Sequence, residues 1–281
     1  MNQGYTSNQG YPQNNPQYAQ NAYSSNNYNP PQYGNTYADP LYGKNEMAQP
    51  VNFDTLTRLN FIRKVYGILA VQLLISTVFV LIGTFFINLG ELTKTMQSIF
   101  SVGIIVSIIL SYVMVIAIVC CVGRVYPANY ICLFIFTLAE SFLLMLVGAQ
   151  YEPRSVIIAL AMTAAATCAL SVYALTTKTD FTPWVGVMWM ILFGFIVFSI
   201  LYAIFIRPFA SYKFNKTYYF IGCIIGLIIY SIYLIIDTQL MIGKFGLKYE
   251  IDDYIIVALN LYLDIINLFL YILRLFGETK N

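Results

Sequence analysis

From about residue 63 to near its C-terminus, the chain is a succession of apolar runs, each roughly 20 residues long. At about 1.5 Å per residue, that is the length a helix needs to cross a hydrocarbon core of about 30 Å. The sequence predicts an all-α membrane protein, a seven-transmembrane-helix bundle with spans near 64–88, 97–122, 128–150, 155–176, 184–206, 217–242 and 253–276. Pro127, Pro153, Pro183 and Pro208 fall at or beside the span boundaries, where a helix must stop, and none interrupts a span. Substrate transporters with discontinuous helices usually carry mid-span Gly/Pro breaks, and the absence of any mid-span proline argues against that class.

Composition agrees with a bilayer as solvent. Hydrophobic residues make up 59% of the 281 and charged residues 10%, and the mean hydropathy is +0.68. A net charge of +2 from scattered bases offers no basic patch, so nucleic acid is excluded as a partner. There is no histidine, hence no side chain whose ordinary pKa lies near neutrality, and any pH sensing must come from carboxylates. Cys120, Cys121, Cys132, Cys168 and Cys223 sit inside apolar runs at no metal-binding spacing and read as small core residues.

Residues 1–50 are of a different composition, rich in Asn, Gln, Tyr and Pro, with eight tyrosines and six of the ten prolines. They are expected to form a disordered cytosolic tail preceding a transmembrane domain over 51–281. The tail lacks the basic start and apolar core of a cleaved signal peptide, so the first span is expected to act as the insertion signal. Within the tail, Pro30, Pro31 and Tyr33 form a PPxY motif of the kind that docks on WW domains. With seven crossings and the N-terminus cytosolic, eight bases lie inside and seven outside. A re-entrant last helix would give ten and five. Seven crossings is the reading kept, because 253–276 is long and unbroken.

Away from span ends, three strongly ionisable side chains remain, and all are acids: Glu140, Asp237 and Asp264. An aspartate at a helix centre costs about 2.5–3.5 kcal/mol on insertion scales, so three without a deep basic partner call for a compensating role. At 100° per residue, Asn260, Asp264, Asn267, Tyr271 and Arg274 share one narrow face of the last span, with Asp253 on the same line. Lipid cannot satisfy such a seam, so this helix belongs toward the bundle centre. The sixth span repeats the pattern more weakly in Gly226, Tyr230, Tyr233 and Asp237, with Gly222 and Gly226 as a GxxxG for close helix approach. In the third, Thr137, Glu140, Ser141 and Gly148 form a short polar side. Two carboxyls brought together in a low-dielectric interior share a proton, which makes a pH switch without histidine. Two aspartates also fall far short of the six to eight oxygens calcium prefers, so they suit weak, transient binding and passage. The residues alone specify a cation or proton site.

The segments "FIRKVYGILAVQLLIS" (61–76), "YSIYLIIDTQLMIG" (230–243) and "DDYIIVALNLYLDIINLFLYILRLFG" (252–277) resemble the transmembrane Bax-inhibitor-motif family, in its lifeguard branch. The resemblance runs from about residue 55 onward. It implies a last helix wrapped by the other six and a pH-sensitive calcium leak in the endoplasmic reticulum or Golgi. Such a leak lowers stored calcium and suppresses apoptosis. The family's two-aspartate sensor falls on Asp237 and Asp264, and Glu140 matches a recurrent acid of the third helix. An arginine of the second helix that supports the sensor in bacterial relatives has no counterpart within 97–122.

No resident cofactor is expected, calcium being the permeant ion, and the partners expected are lipid, calcium and protons. Two other classes of function stay open: a non-conducting scaffold for death-pathway or calcium-channel proteins, and a proton-coupled transporter. An enzyme is not expected. The aspartates lack the YD and GxGD contexts of an intramembrane protease, since they read Ile236-Asp237 and Leu263-Asp264.

Overall fold

A computed structural model describes residues 53–87, 90 and 93–280, with side chains from residue 55. The expected tail and its PPxY motif lie outside the described residues. Seven helices follow one another: α1 (Phe53–Phe86), α2 (Lys94–Ala117), α3 (Ala128–Gly148), α4 (Pro153–Thr176), α5 (Val185–Leu201), α6 (Tyr212–Ile242) and α7 (Tyr254–Phe276). With the adjoining turns, all seven are long and apolar enough to cross a membrane. α2 and α5 each end in a single π-helical turn, Ile118–Val122 and Tyr202–Ile206.

Local chemistry sets the helix ends. Thr93 caps α2 by accepting from the Met96 N–H, Ser211 caps α6 by accepting from the Phe214 N–H, and Pro153 opens α4. Gly243 ends α6 in a left-handed conformation at φ +74°. α1 starts well before the expected residue 64 because its first turns are anchored. Arg58 donates to the carbonyls of Leu240, Ile242 and Tyr249 at 2.7–3.3 Å, while Phe61 and Val65 are buried in the core.

α7 is the central helix. In its most apolar window 67% of residues are buried, against 6% for the span that contains α5, and α7 packs against α1, α3, α4 and α6. Apolar surface gains little by leaving lipid for protein, so close packing and interhelical hydrogen bonds must hold the bundle. Both are present. Ser76 of α1 bonds Ser141 of α3 at 2.9 Å and Tyr262 of α7 at 2.7 Å, and Gln72 donates to Thr137 at 3.1 Å. At Gly83 of α1 two backbones come close together, since an added Cβ would lie 1.9 Å from the Met145 carbonyl oxygen of α3.

The GxxxG of α6 does not bring two helix backbones together. Gly222 faces nothing within 4 Å, and a Cβ on Gly226 would meet the ring of Tyr271, so the glycine makes room for an aromatic side chain. The cysteines also depart from expectation. Cys223 is buried, but Cys120, Cys121 and Cys168 are exposed on the bundle surface, where an apolar thiol is compatible with lipid.

Contacts between helix ends sort them into two faces. On one, Arg58 at the start of α1 meets the end of α6, Arg124 beyond α2 pairs with Asp253 at the start of α7, and Lys244 donates to Leu175 and Thr177 at the end of α4. On the other, Lys280 donates to Thr84 at the end of α1, Thr279 pairs with Tyr151 beyond α3, and Tyr202 bonds Asn215 across the α5–α6 turn. Ends alternate strictly between the faces, so α7 is a full seventh crossing.

Candidate functional site

The site is built from one acid on each of the last two helices. α6 carries Asp237 and α7 carries Asp264, with exposures of 6% and 5%. Their carboxyl groups lie within hydrogen-bonding reach of each other. Asp237 also accepts from the Tyr249 hydroxyl at 3.2 Å, and Asn260 of α7 donates to that same hydroxyl at 3.1 Å. Oδ2 of Asp264 is buried with no hydrogen-bond partner, as is the hydroxyl of Tyr233. Unsatisfied buried oxygens are costly, and each calls for an explanation.

Both acids line a cavity of about 210 Å³. Tyr230, Tyr233, Tyr249, Asn260 and Asn267 add polar atoms to its wall, and Val185, Trp189 and Leu192 of α5 close another side. Along the polar face of α7, Asp264 is buried, Asn260, Asn267 and Tyr271 are half-buried and Arg274 is exposed, while Leu261, Tyr262, Ile265 and Leu268 are buried in the packed core. Mostly apolar but with carboxyl, phenol and amide side chains in its wall, the cavity is roomy enough for water and can hold a proton between the carboxyls or a small hydrated cation against them. Among the described residues no three acids, cysteines or histidines gather into a metal-holding group.

The other residues singled out from the sequence divide into two sets. Tyr230 stands against Tyr233 at 6.2 Å and Tyr271 at 5.8 Å between ring centroids, extending an aromatic wall from the cavity. Arg274 is exposed and lies over the Tyr271 ring at 5.6 Å, away from the acids. Glu140 does not join them either. It lies beside Ser111 of α2 and near Tyr262, and Tyr262 projects from α7 about 200° away from Asp264, two residues on. Grouping Glu140 and Arg274 with the pair is therefore corrected. Their helix faces are polar, but the bundle turns them elsewhere. Arg124, just beyond α2, binds Asp253 bidentately at 2.7 and 3.1 Å and Glu250 at 3.0 Å. These charges hold its guanidinium above its ordinary pKa.

Two contributors were not visible in the sequence. Tyr249 lies in the α6–α7 connection, one of 24 tyrosines, with no helical period to mark it. Burial and the nearby Asp237 charge push its phenol well above the ordinary tyrosine value, so it remains a neutral donor. Gln239, two residues past Asp237, donates to Thr179 at 3.0 Å and accepts from the Phe181 N–H at 2.9 Å, fixing the α4–α5 connection onto α6.

Residues 58–281 match the family model described as inhibitor of apoptosis-promoting Bax1. The chain is 30% identical over 252 residues to protein lifeguard 3 of Mus musculus, covering 89% of this chain and 79% of the relative. With protein lifeguard 3 of Homo sapiens it shares 31% over 229 residues, or 81% and 71% of the two chains. With the Golgi anti-apoptotic protein of vaccinia virus (strain Lister) it shares 32% over 230 residues, or 80% and 87%.

Proposed function

Because the chain belongs to the Bax-inhibitor family of multi-pass membrane proteins, we propose that it is a pH-sensitive calcium leak of an intracellular membrane, gated by Asp237 and Asp264, and that it suppresses apoptosis by lowering stored calcium. The observation that carries this reading is the contact of two buried carboxyls from adjacent helices beside a cavity with tyrosine and asparagine side chains in its wall, one carboxyl oxygen being unpartnered. A shared proton holds α6 against α7. Losing it sets two like charges in contact, which favours separation of the helices and draws in a divalent cation. Weak binding by few protein oxygens, completed by water, then permits release on the far side. The name of the vaccinia relative supports the Golgi as the membrane, with the N-terminus on the cytosolic side.

The test is calcium flux from reconstituted vesicles across a pH series for the wild type, Asp237→Asn and Asp264→Asn. Flux should rise with pH in the wild type, and the profile should flatten in both variants. Profiles that coincide for all three would refute the gate.

A further inference from the structure

We propose that a water-filled path enters the aspartate cavity from the face carrying the α6–α7 connection, and that Tyr249 is its stopper, with Arg58 as the residue that holds it in place. This rests on the leak reading and adds the route and the moving part.

A second cavity, of about 890 Å³, lies on that face, lined by Thr55, Thr57, Arg58, Lys248, Glu250 and neighbouring residues. Its polar rim suits it to water and hydrated ions. Tyr249 lines both this vestibule and the 210 Å³ cavity that holds the acids, so it stands between them.

Tyr249 is held from both ends. Its hydroxyl donates to Asp237 on α6 and accepts from Asn260 on α7, which places the ring across the seam between the two helices. Its backbone N–H donates to the Leu240 carbonyl at 3.3 Å, and its own carbonyl accepts from Arg58 Nη1 at 2.7 Å. The remaining Arg58 bonds go to Leu240 at 2.8 Å and Ile242 at 3.3 Å. One guanidinium therefore ties the start of α1, the end of α6 and the stopper together. Its donors are directed at three carbonyls, whose dipoles partly offset its positive charge where a cation would pass.

The connection turns at Gly243 and Gly246, both with positive φ, +74° and +95°, a conformation costly for other residues, and in this proposal these turns are its hinge points. Movement of α6 relative to α7 would pull Asp237 and Asn260 apart and strip the hydroxyl of one partner or both. The stopper is thereby coupled to the same helix pair that the aspartates control.

Accessibility tests the path without reference to calcium. In a full-length protein with the five native cysteines replaced, Leu263→Cys places a thiol in the cavity wall. A charged, membrane-impermeant methanethiosulfonate reagent is then applied to both sides of proteoliposomes. With Tyr249 present, labelling should be slow. Tyr249→Ala should accelerate it about tenfold or more, since two hydrogen bonds, one of them to a carboxyl, are lost along with the ring. Tyr249→Phe and Arg58→Lys should each give a rise of about fivefold, the effect of one lost or weakened anchor.

An unchanged labelling rate in a folded Tyr249→Ala protein overturns the proposal. If that variant fails to fold, rates for Tyr249→Phe and Arg58→Lys that both equal the parent rate overturn it. Faster labelling with no calcium flux in any variant supports the path and refutes the leak.

Discussion

At the scale of single residues, the site contains buried polar atoms that a purely structural core would avoid. Asp264 Oδ2 and the Tyr233 hydroxyl lack partners, in two residues that line a cavity of about 210 Å³. Tyr249 is the opposite case, a hydroxyl with two partners and a proton held more tightly than in an ordinary tyrosine. The sign of the linkage follows. A phenol whose pKa is raised on folding contributes stability that is fully present below the ordinary value of 10.0 and is lost as pH rises above it, where the unfolded chain gives up its proton first. Stability measured by thermal unfolding in detergent should therefore fall between neutral pH and about pH 11 more steeply for the wild type than for Tyr249→Phe. Other tyrosines titrate in both proteins, so the difference between the two slopes isolates this one. Equal slopes would mean that Tyr249 ionises as freely in the bundle as in water.

At the scale of helices, hydropathy and length were enough to identify all seven spans, and the 3.6-residue period was enough to align Asn260, Asp264 and Asn267 along one cavity wall. Other features were hidden for a physical reason. In a bilayer both the lipid-facing and the protein-facing sides of a helix are apolar, so pattern cannot say which neighbour a face meets. Glu140 and Asp264 read alike in sequence, yet Glu140 lies beside Ser111 of α2 and Asp264 meets α6. Glycines mislead in the same way. The GxxxG of α6 accommodates a tyrosine ring, whereas the unheralded Gly83 permits a close approach of the α1 and α3 backbones. Gly83→Ala should consequently destabilise the bundle by about 1–3 kcal/mol or more, since backbone must move to admit the methyl group. Gly67→Ala, in the same helix with nothing within 4 Å, should be neutral or stabilising by up to about 1 kcal/mol from helix propensity. Thermal unfolding of the two variants side by side checks this, and an equal loss in both would mean that α1 and α3 do not cross at Gly83.

For the molecule as a whole, the question left open by charge counting is how α7 ends. Scattered bases gave eight against seven for a full crossing and ten against five for a re-entrant turn, so electrostatics mildly favoured the second. Tertiary contacts favour the first decisively. The start of α7 is bound through Asp253 to Arg124, on the same face as Arg58 and Lys244. Beyond its end, the Glu278 carbonyl accepts from the Glu152 N–H at 2.8 Å, the Lys280 N–H donates to Gln150 at 2.9 Å, and the Lys280 ammonium donates to Thr84. Those partners follow α3 and close α1, an odd number of crossings from the start of α1. A re-entrant α7 would have to break all of these bonds and expose the polar face of its helix to lipid. In sealed, uniformly oriented vesicles of a cysteine-free protein, Lys248→Cys and Glu278→Cys should accordingly react with an impermeant thiol reagent from opposite sides. Arg124→Cys should behave like Lys248→Cys, and Arg207→Cys like Glu278→Cys, which controls for vesicle orientation. Labelling of positions 248 and 278 from the same side would require α7 to turn back within the membrane, and with it the central placement of Asp264 would fail.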